Sequence, residues 1–76
     1  MVHYKVNVLE ALKQRGYSST RLRNEKILSE STMQKLRTNN TTITADTLNT
    51  ICVILRCQPG DIIEVIPTND EKIKYF

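Results

Sequence analysis

Val2, Tyr4 and Val6 alternate with His3 and Lys5, and this period of two predicts a short half-buried strand over residues 2–6. The pattern then becomes helical. Asn7 followed by Glu10 reads as a capping box, and Val8, Leu9, Ala11 and Leu12 form the apolar stripe of a first helix from about Val8 to Arg15. Gly16 is placed to take the left-handed conformation that stops it. Ser18 is the next candidate cap, and the segment Ser19 to Lys26 is polar except for Leu22, so it needs neighbours to form a helix at all. After Ile27 and Leu28, Ser29 offers a cap for a third helix, about 30–38, with Met33 and Leu36 inward and the rest outward. Thr38-Asn39-Asn40-Thr41-Thr42 is a turn-forming loop. Thr44 caps a fourth helix carrying Asp46 in its first turn, with Leu48, Ile51, Cys52 and Leu55 spaced for one face. Pro59 opens a short fifth turn, Glu64-Val65-Ile66 extends, Pro67 ends it, and the charged tail 68–76 is expected to be loosely held.

Composition changes this picture little. A chain of 76 residues has room for one small core. Its 39% hydrophobic and 25% charged residues are ordinary for a soluble domain, with no apolar run long enough for a membrane helix. The opening MVHYKVNVLEALKQR has charges throughout and does not read as a signal peptide, so the expected compartment is the cytoplasm, with no membrane partner. Charge is more informative. Residues 1–40 carry eight Lys or Arg against three Glu, and residues 41–76 carry three against five acids, so the first half is net positive and the second net negative. A basic half suits a polyanionic partner. Cys52 and Cys57 are five apart, a spacing that puts them on different sides of a helix, matches no zinc or redox signature and fits small buried hydrophobes.

The second and third helices, joined by a tight turn, are the informative feature. The third exposes small polar and charged side chains, and the major groove of B-DNA admits one such helix and presents donors and acceptors that Gln, Lys, Ser and Glu can address. The stretch GYSSTRLRNEKILSESTMQKLRTNNTTITADTLNTICVILRCQPGDII, within residues 7–66, resembles the Cro and phage-repressor (XRE-like) helix-turn-helix family, more narrowly its small stand-alone bacterial members. Leu22 stands at the core leucine of helix 2, and Leu28-Ser29 at the turn's apolar residue and the helix 3 cap. Thr32, Met33 and Leu36 stand at packing positions of the recognition helix, Ile43-Thr44 with Thr47-Leu48 at the start of helix 4, and Leu55 to Ile62 at its exit and the start of helix 5.

The resemblance implies a mainly α, five-helix lambda-repressor-like domain, to which the alternation at 2–6 and the extended segment at 63–66 add a short strand pairing; the domain is expected over residues 1–67 with a tail over 68–76. It implies a DNA-binding transcriptional regulator and no enzyme. Glu30, Ser31, Gln34 and Lys35 are the implied base readers, and Ser19, Ser29, Arg23, Arg37, Thr38, Asn39, Asn40 and Thr42 the implied backbone contacts. Four positions depart from the family pattern: Arg23 stands where a small Ala is usual, Ile27 where a turn Gly is common, Ser19 where Gln is frequent and Arg37 where Glu is frequent. Arg21 reads as a surface residue. A paired strand edge would leave Val2, Tyr4, Val65 and Ile66 as an apolar patch for a homodimer on a palindromic double-stranded operator. His3 has no partner at ligand or triad spacing, and neither a phosphate loop nor a metal or cofactor motif is present, so no cofactor is expected. The rival reading is a helix-turn-helix protein-interaction module, antitoxin-like or partner-anchoring, favoured by the acidic second half and the Tyr75-Phe76 end.

Overall fold

Five short polar side chains set where the helices begin. In the computed structural model, which describes residues 1–76, Asn7 Oδ1 accepts from the Glu10 amide at 3.1 Å and Ser18 Oγ from the Arg21 amide at 3.2 Å. Ser29, Thr44 and Thr68 accept in the same way from Thr32, Thr47 and Glu71, each at 3.1 Å. They open α1 (Val8–Gln14), α2 (Ser19–Asn24), α3 (Glu30–Arg37), α4 (Ala45–Leu55) and α5 (Asn69–Tyr75). Each such cap is worth about 1 kcal/mol to its helix. At α1 only the Asn7 half of the expected capping box forms.

The first four helices end alike, with one residue in the left-handed region: Gly16 (φ 87°), Lys26 (φ 55°), Asn39 (φ 58°) and Arg56 (φ 55°). The residue after it donates its amide to the carbonyl five positions back: Tyr17 to Leu12 at 2.9 Å, Ile27 to Leu22 at 2.9 Å, Asn40 to Lys35 at 2.8 Å and Cys57 to Cys52 at 3.0 Å. This Schellman-type cap folds the chain back so that those two side chains meet. Three expectations are corrected here. α2 stops at Asn24, not Lys26, because the cap needs Lys26 left-handed. The turn position that suits glycine is therefore Lys26, and Ile27 packs half-buried against the core. Cys57 is not on the far side of a helix from Cys52, since α4 has ended and Arg56 turns Cys57 back toward it.

The core is Val8, Leu12, Leu22, Leu28, Met33, Leu36, Ile51, Cys52 and Ile62, with Leu9, Tyr17, Ile43, Leu48 and Leu55 packed around it. Every helix from α1 to α4 contributes the apolar positions its periodicity marks. β1 (Val2–Tyr4) pairs antiparallel with β2 (Ile63–Val65), placing Val2 opposite Val65 and Tyr4 opposite Ile63. The pairing is shorter than the expected 2–6 and 63–66, and a 3-10 turn at Pro59–Asp61 leads into it. Facing residues in an antiparallel pair share a sheet face, so Tyr4 and Ile63 lie on the core while Val2 and Val65 continue that face past its end.

The tail carries a helix that its polar sequence did not lead one to expect. The expected loose segment 68–76 forms α5, opened by a reciprocal capping box in which Glu71 Oε1 accepts from the Thr68 amide at 2.8 Å. α5 buries no residue, and it is held by the Met1 ammonium, which donates to Glu71 Oε1 at 2.7 Å and to the Ile66 carbonyl at 2.8 Å. The molecule measures 45 × 23 × 19 Å, with a radius of gyration of 13.8 Å. A compact chain of this length would have about 11 Å.

Candidate nucleic-acid interface

α2, the turn Glu25–Ser29 and α3 present one surface, and the orientation of α3 follows from its anchors. Met33 and Leu36 are buried and Thr32 half-buried, so at about 100° per residue the opposite face centres on Ser31 and Gln34. Glu30 and Arg37 flank that centre on one side and Lys35 on the other.

The flanks are already bonded. The Glu30 carboxylate accepts from Arg23 Nε at 2.9 Å and from Arg37 Nη1 at 3.3 Å, and Arg37 Nη1 also donates to Gln34 Oε1 at 3.2 Å. Arg23 first and Arg37 second hold the Glu30 carboxyl below its usual pKa. Arg23 thus stays exposed where a small Ala is usual, and spans from α2 to the start of α3. On the other flank Lys35 is half-buried, its Nζ donating to the Thr42 carbonyl at 3.0 Å.

The loop after α3 is bound from several directions. Thr38 Oγ1 donates to the Gln34 carbonyl at 2.9 Å, the Asn40 carbonyl accepts from the Tyr4 hydroxyl at 2.8 Å, and Asn40 Oδ1 accepts from the Thr42 amide at 2.9 Å. These bonds give the loop a fixed shape while Asn39 and Asn40 stay exposed. Burial pushes the Tyr4 phenol up in pKa, so it stays a neutral donor.

The structure brings Ser19, Arg37 and Asn39 together on one groove with Tyr4, Lys5 and Lys13, and one carboxylate, Glu10, also lines it. Lys5 and Lys13 are cations that the sequence reading passed over. Lys13 has a readable signal, since it lies on α1 one turn from Leu9 on the face toward this groove, whereas Lys5 reaches it only through the strand pairing. Ser29 spends its hydroxyl on the Thr32 amide and on Thr32 Oγ1 at 2.9 Å. Arg21 belongs to the fold: its guanidinium lies 4.1 Å from the Tyr17 ring centroid, pairs with Glu25 at 2.7 Å and donates to the Gly16 carbonyl at 3.1 Å.

Val2, Val65 and Ile66 are exposed at the sheet end of the molecule, whereas Tyr4 is half-buried on the core. No helix is long and apolar enough to cross a membrane.

Residues 7–68 match the family model of the Cro/C1-type HTH DNA-binding domain. No curated protein and no solved structure gives a match. The matched span runs from the Asn7 cap of α1 to the Thr68 cap of α5 and so contains the whole α2–turn–α3 unit, and the chain belongs to the family of Cro/C1-type helix-turn-helix DNA-binding domains.

Proposed function

We propose that the protein is a sequence-specific transcriptional regulator, a cytoplasmic repressor that binds double-stranded DNA as a homodimer on a palindromic operator, with α3 in the major groove. The observation that carries this reading is the family match over residues 7–68, which spans a third helix whose outward face is wholly polar. Residues 1–67 form the DNA-binding unit and 68–76 an appendage to it. A protein seated in the groove of an operator excludes other proteins from it, which suits repression.

Gln34 and Ser31 lie at the centre of the reading face. Gln34 suits bidentate recognition of adenine, and Lys35 donates to guanine once its ammonium leaves the Thr42 carbonyl, each such contact being worth about 1–3 kcal/mol of discrimination. Glu30 accepts from a cytosine amino group when Arg23 and Arg37 turn to phosphate. Ser19, Arg23, Ser29, Arg37, Thr38, Asn39, Asn40 and Thr42 meet the backbone and set register, not sequence. Val2, Val65 and Ile66, backed by Tyr4, form the dimer contact, which would set two recognition helices about 34 Å apart.

The test is a genome-fragment pull-down at moderate salt, run beside the double variant Gln34→Ala, Lys35→Ala, both sites being outside the core. Enrichment of one palindrome by the parent protein and its loss in the variant is the expected result. The exposed Ile73, Tyr75 and Phe76 favour a second reading, a protein-interaction module. Failure of the folded parent to enrich any sequence would select that reading.

A further inference from the structure

The caps that end α1, α2 and α4 differ in one respect. At each, the left-handed turn brings together the side chains of the residue four before the left-handed residue and the residue directly after it. At α1 the pair is Leu12 and Tyr17, and at α2 it is Leu22 and Ile27, both apolar contacts of the ordinary kind. At α4 the same two places hold Cys52 and Cys57, both free thiols. Both bonds of the cap are present, Arg56 donating to the Val53 carbonyl at 3.3 Å and Cys57 to the Cys52 carbonyl at 3.0 Å.

That second bond limits the distance between the cysteines. Standard bond lengths on either side of it keep the two Cα atoms within about 7 Å, and bending at donor and acceptor brings them into the ~4.4–6.8 Å range that disulfides span. Both thiols pack on one core cluster and line one shallow groove, together with Leu48, Val53, Arg56 and Pro59. They differ in access: Cys52 is 8% exposed, and Cys57 is only half-buried.

We propose that Cys52 and Cys57 are a redox modification site, a dithiol that the α4 cap holds ready to close as an intramolecular disulfide. The oxidant is a low-molecular-weight disulfide. The accessible Cys57, as thiolate, attacks one sulfur of that oxidant, forming a mixed disulfide and releasing one small thiol. Cys52 then gives up its proton and attacks Cys57 Sγ, forming the Cys52–Cys57 bond and releasing the second small thiol. Two electrons and two protons pass from the protein to the oxidant, which becomes two thiols. The order of attack follows from exposure. Burial, with the Cys57 thiol beside it, pushes the Cys52 thiol up in pKa, which makes it the slower first nucleophile. The closed site would staple the end of α4 to the segment that feeds the Pro59–Asp61 turn and β2. This inference does not depend on DNA binding.

The full chain incubated with a buffer of oxidised and reduced glutathione tests it. Tryptic cleavage after Arg56 separates the two cysteines onto different peptides, so an intramolecular bond appears as one linked pair and as a mass loss of two hydrogens on the intact monomer. The expected result is that linked monomer, in a ratio to the glutathione couple at least tenfold higher for the folded chain than for the chain in guanidinium chloride. Cys52→Ser should accumulate one glutathione on Cys57. A folded wild-type protein that holds a persistent glutathione adduct, forms only covalent dimers, or closes no more readily than the denatured chain would overturn the proposal.

Discussion

Glu30 has two incompatible uses, and its neighbours decide between them. In the free protein its carboxylate is shared by Arg23 and Arg37, two cations on the surface proposed to meet phosphate. The pairs are exposed and individually weak, so DNA can compete for the arginines. Glu30→Gln should therefore bind random-sequence duplex more tightly at low salt and show a steeper fall of log K with log salt, each added phosphate contact contributing a slope of about −0.9. Fluorescence anisotropy over a salt series would measure this; weaker binding with an unchanged slope would mean that the two arginines do not reach the backbone. Lys26 holds the left-handed turn after α2 at φ 55°. A side chain in the left-handed region costs about 1–2 kcal/mol, part of which glycine returns through its freer unfolded chain. Lys26→Gly should stabilise by about 0.5–1 kcal/mol, seen as a higher urea midpoint at unchanged slope. Gly16 was readable as a left-handed stop because glycine announces it. Lys26 and Arg56 were not, because the packing of Leu22 with Ile27 and of Cys52 with Cys57 at the core places the turn on residues with no preference for it.

Among the elements, those with a buried face were the ones the sequence revealed. Val8 and Leu12, Met33 and Leu36, Ile51 and Cys52 are buried where their spacing puts them, and the Asn7, Ser18, Ser29 and Thr44 caps lie where short polar residues precede each run. The recognition helix was legible for the same reason, through two anchors and a polar remainder. How its polar side chains pair was not, because Arg23 to Glu30 and Lys35 to Thr42 join segments whose approach only the fold determines. α5 was missed because it buries nothing, although Thr68 and Glu71 carry a readable capping box. Its attachment should depend on pH. The Met1 ammonium, followed by the Thr68 amide, holds Glu71 at a pKa of about 2, against an ordinary 4.5. A depressed carboxylate contributes its stabilisation above the unfolded value and loses it as pH falls through the folded one. The contribution of Glu71 should thus be complete above about pH 4.5 and fade toward pH 2. Protection factors of the amides in residues 69–75, taken relative to the intrinsic exchange rate at each pH, should fall across that window, ahead of those in α1 and α4. An equal fall in protection throughout would show that α5 does not respond separately. Added salt should narrow the effect, because the pair is exposed.

Across the whole molecule, the long axis is 45 Å, α5 buries no residue, and the strand end that leads into it leaves Val65 and Ile66 67% and 53% exposed. A specific dimer usually buries about 800 Å² per partner with an apolar centre, and this end offers the apolar side chains for it. Val65→Asp lies outside the core and should leave the fold intact. Light scattering should then report a dimer for the parent and a monomer for the variant, with operator affinity falling by at least tenfold. A parent that is monomeric both free and on DNA would remove the palindromic arrangement from the proposal. The β1–β2 pairing also has a topological meaning. The Met1 ammonium meets the Ile66 carbonyl at 2.8 Å, and the Ile66 amide returns to the Met1 carbonyl at 3.0 Å, so the helical body is almost a closed ring whose seam is the small sheet. A ring can be opened elsewhere. A circular permutant with a short Gly/Ser bridge across the seam in place of the last helix, and new ends at the exposed turn around Gly60, would keep the α2–turn–α3 unit uninterrupted while reversing the order in which the ribosome delivers the strands.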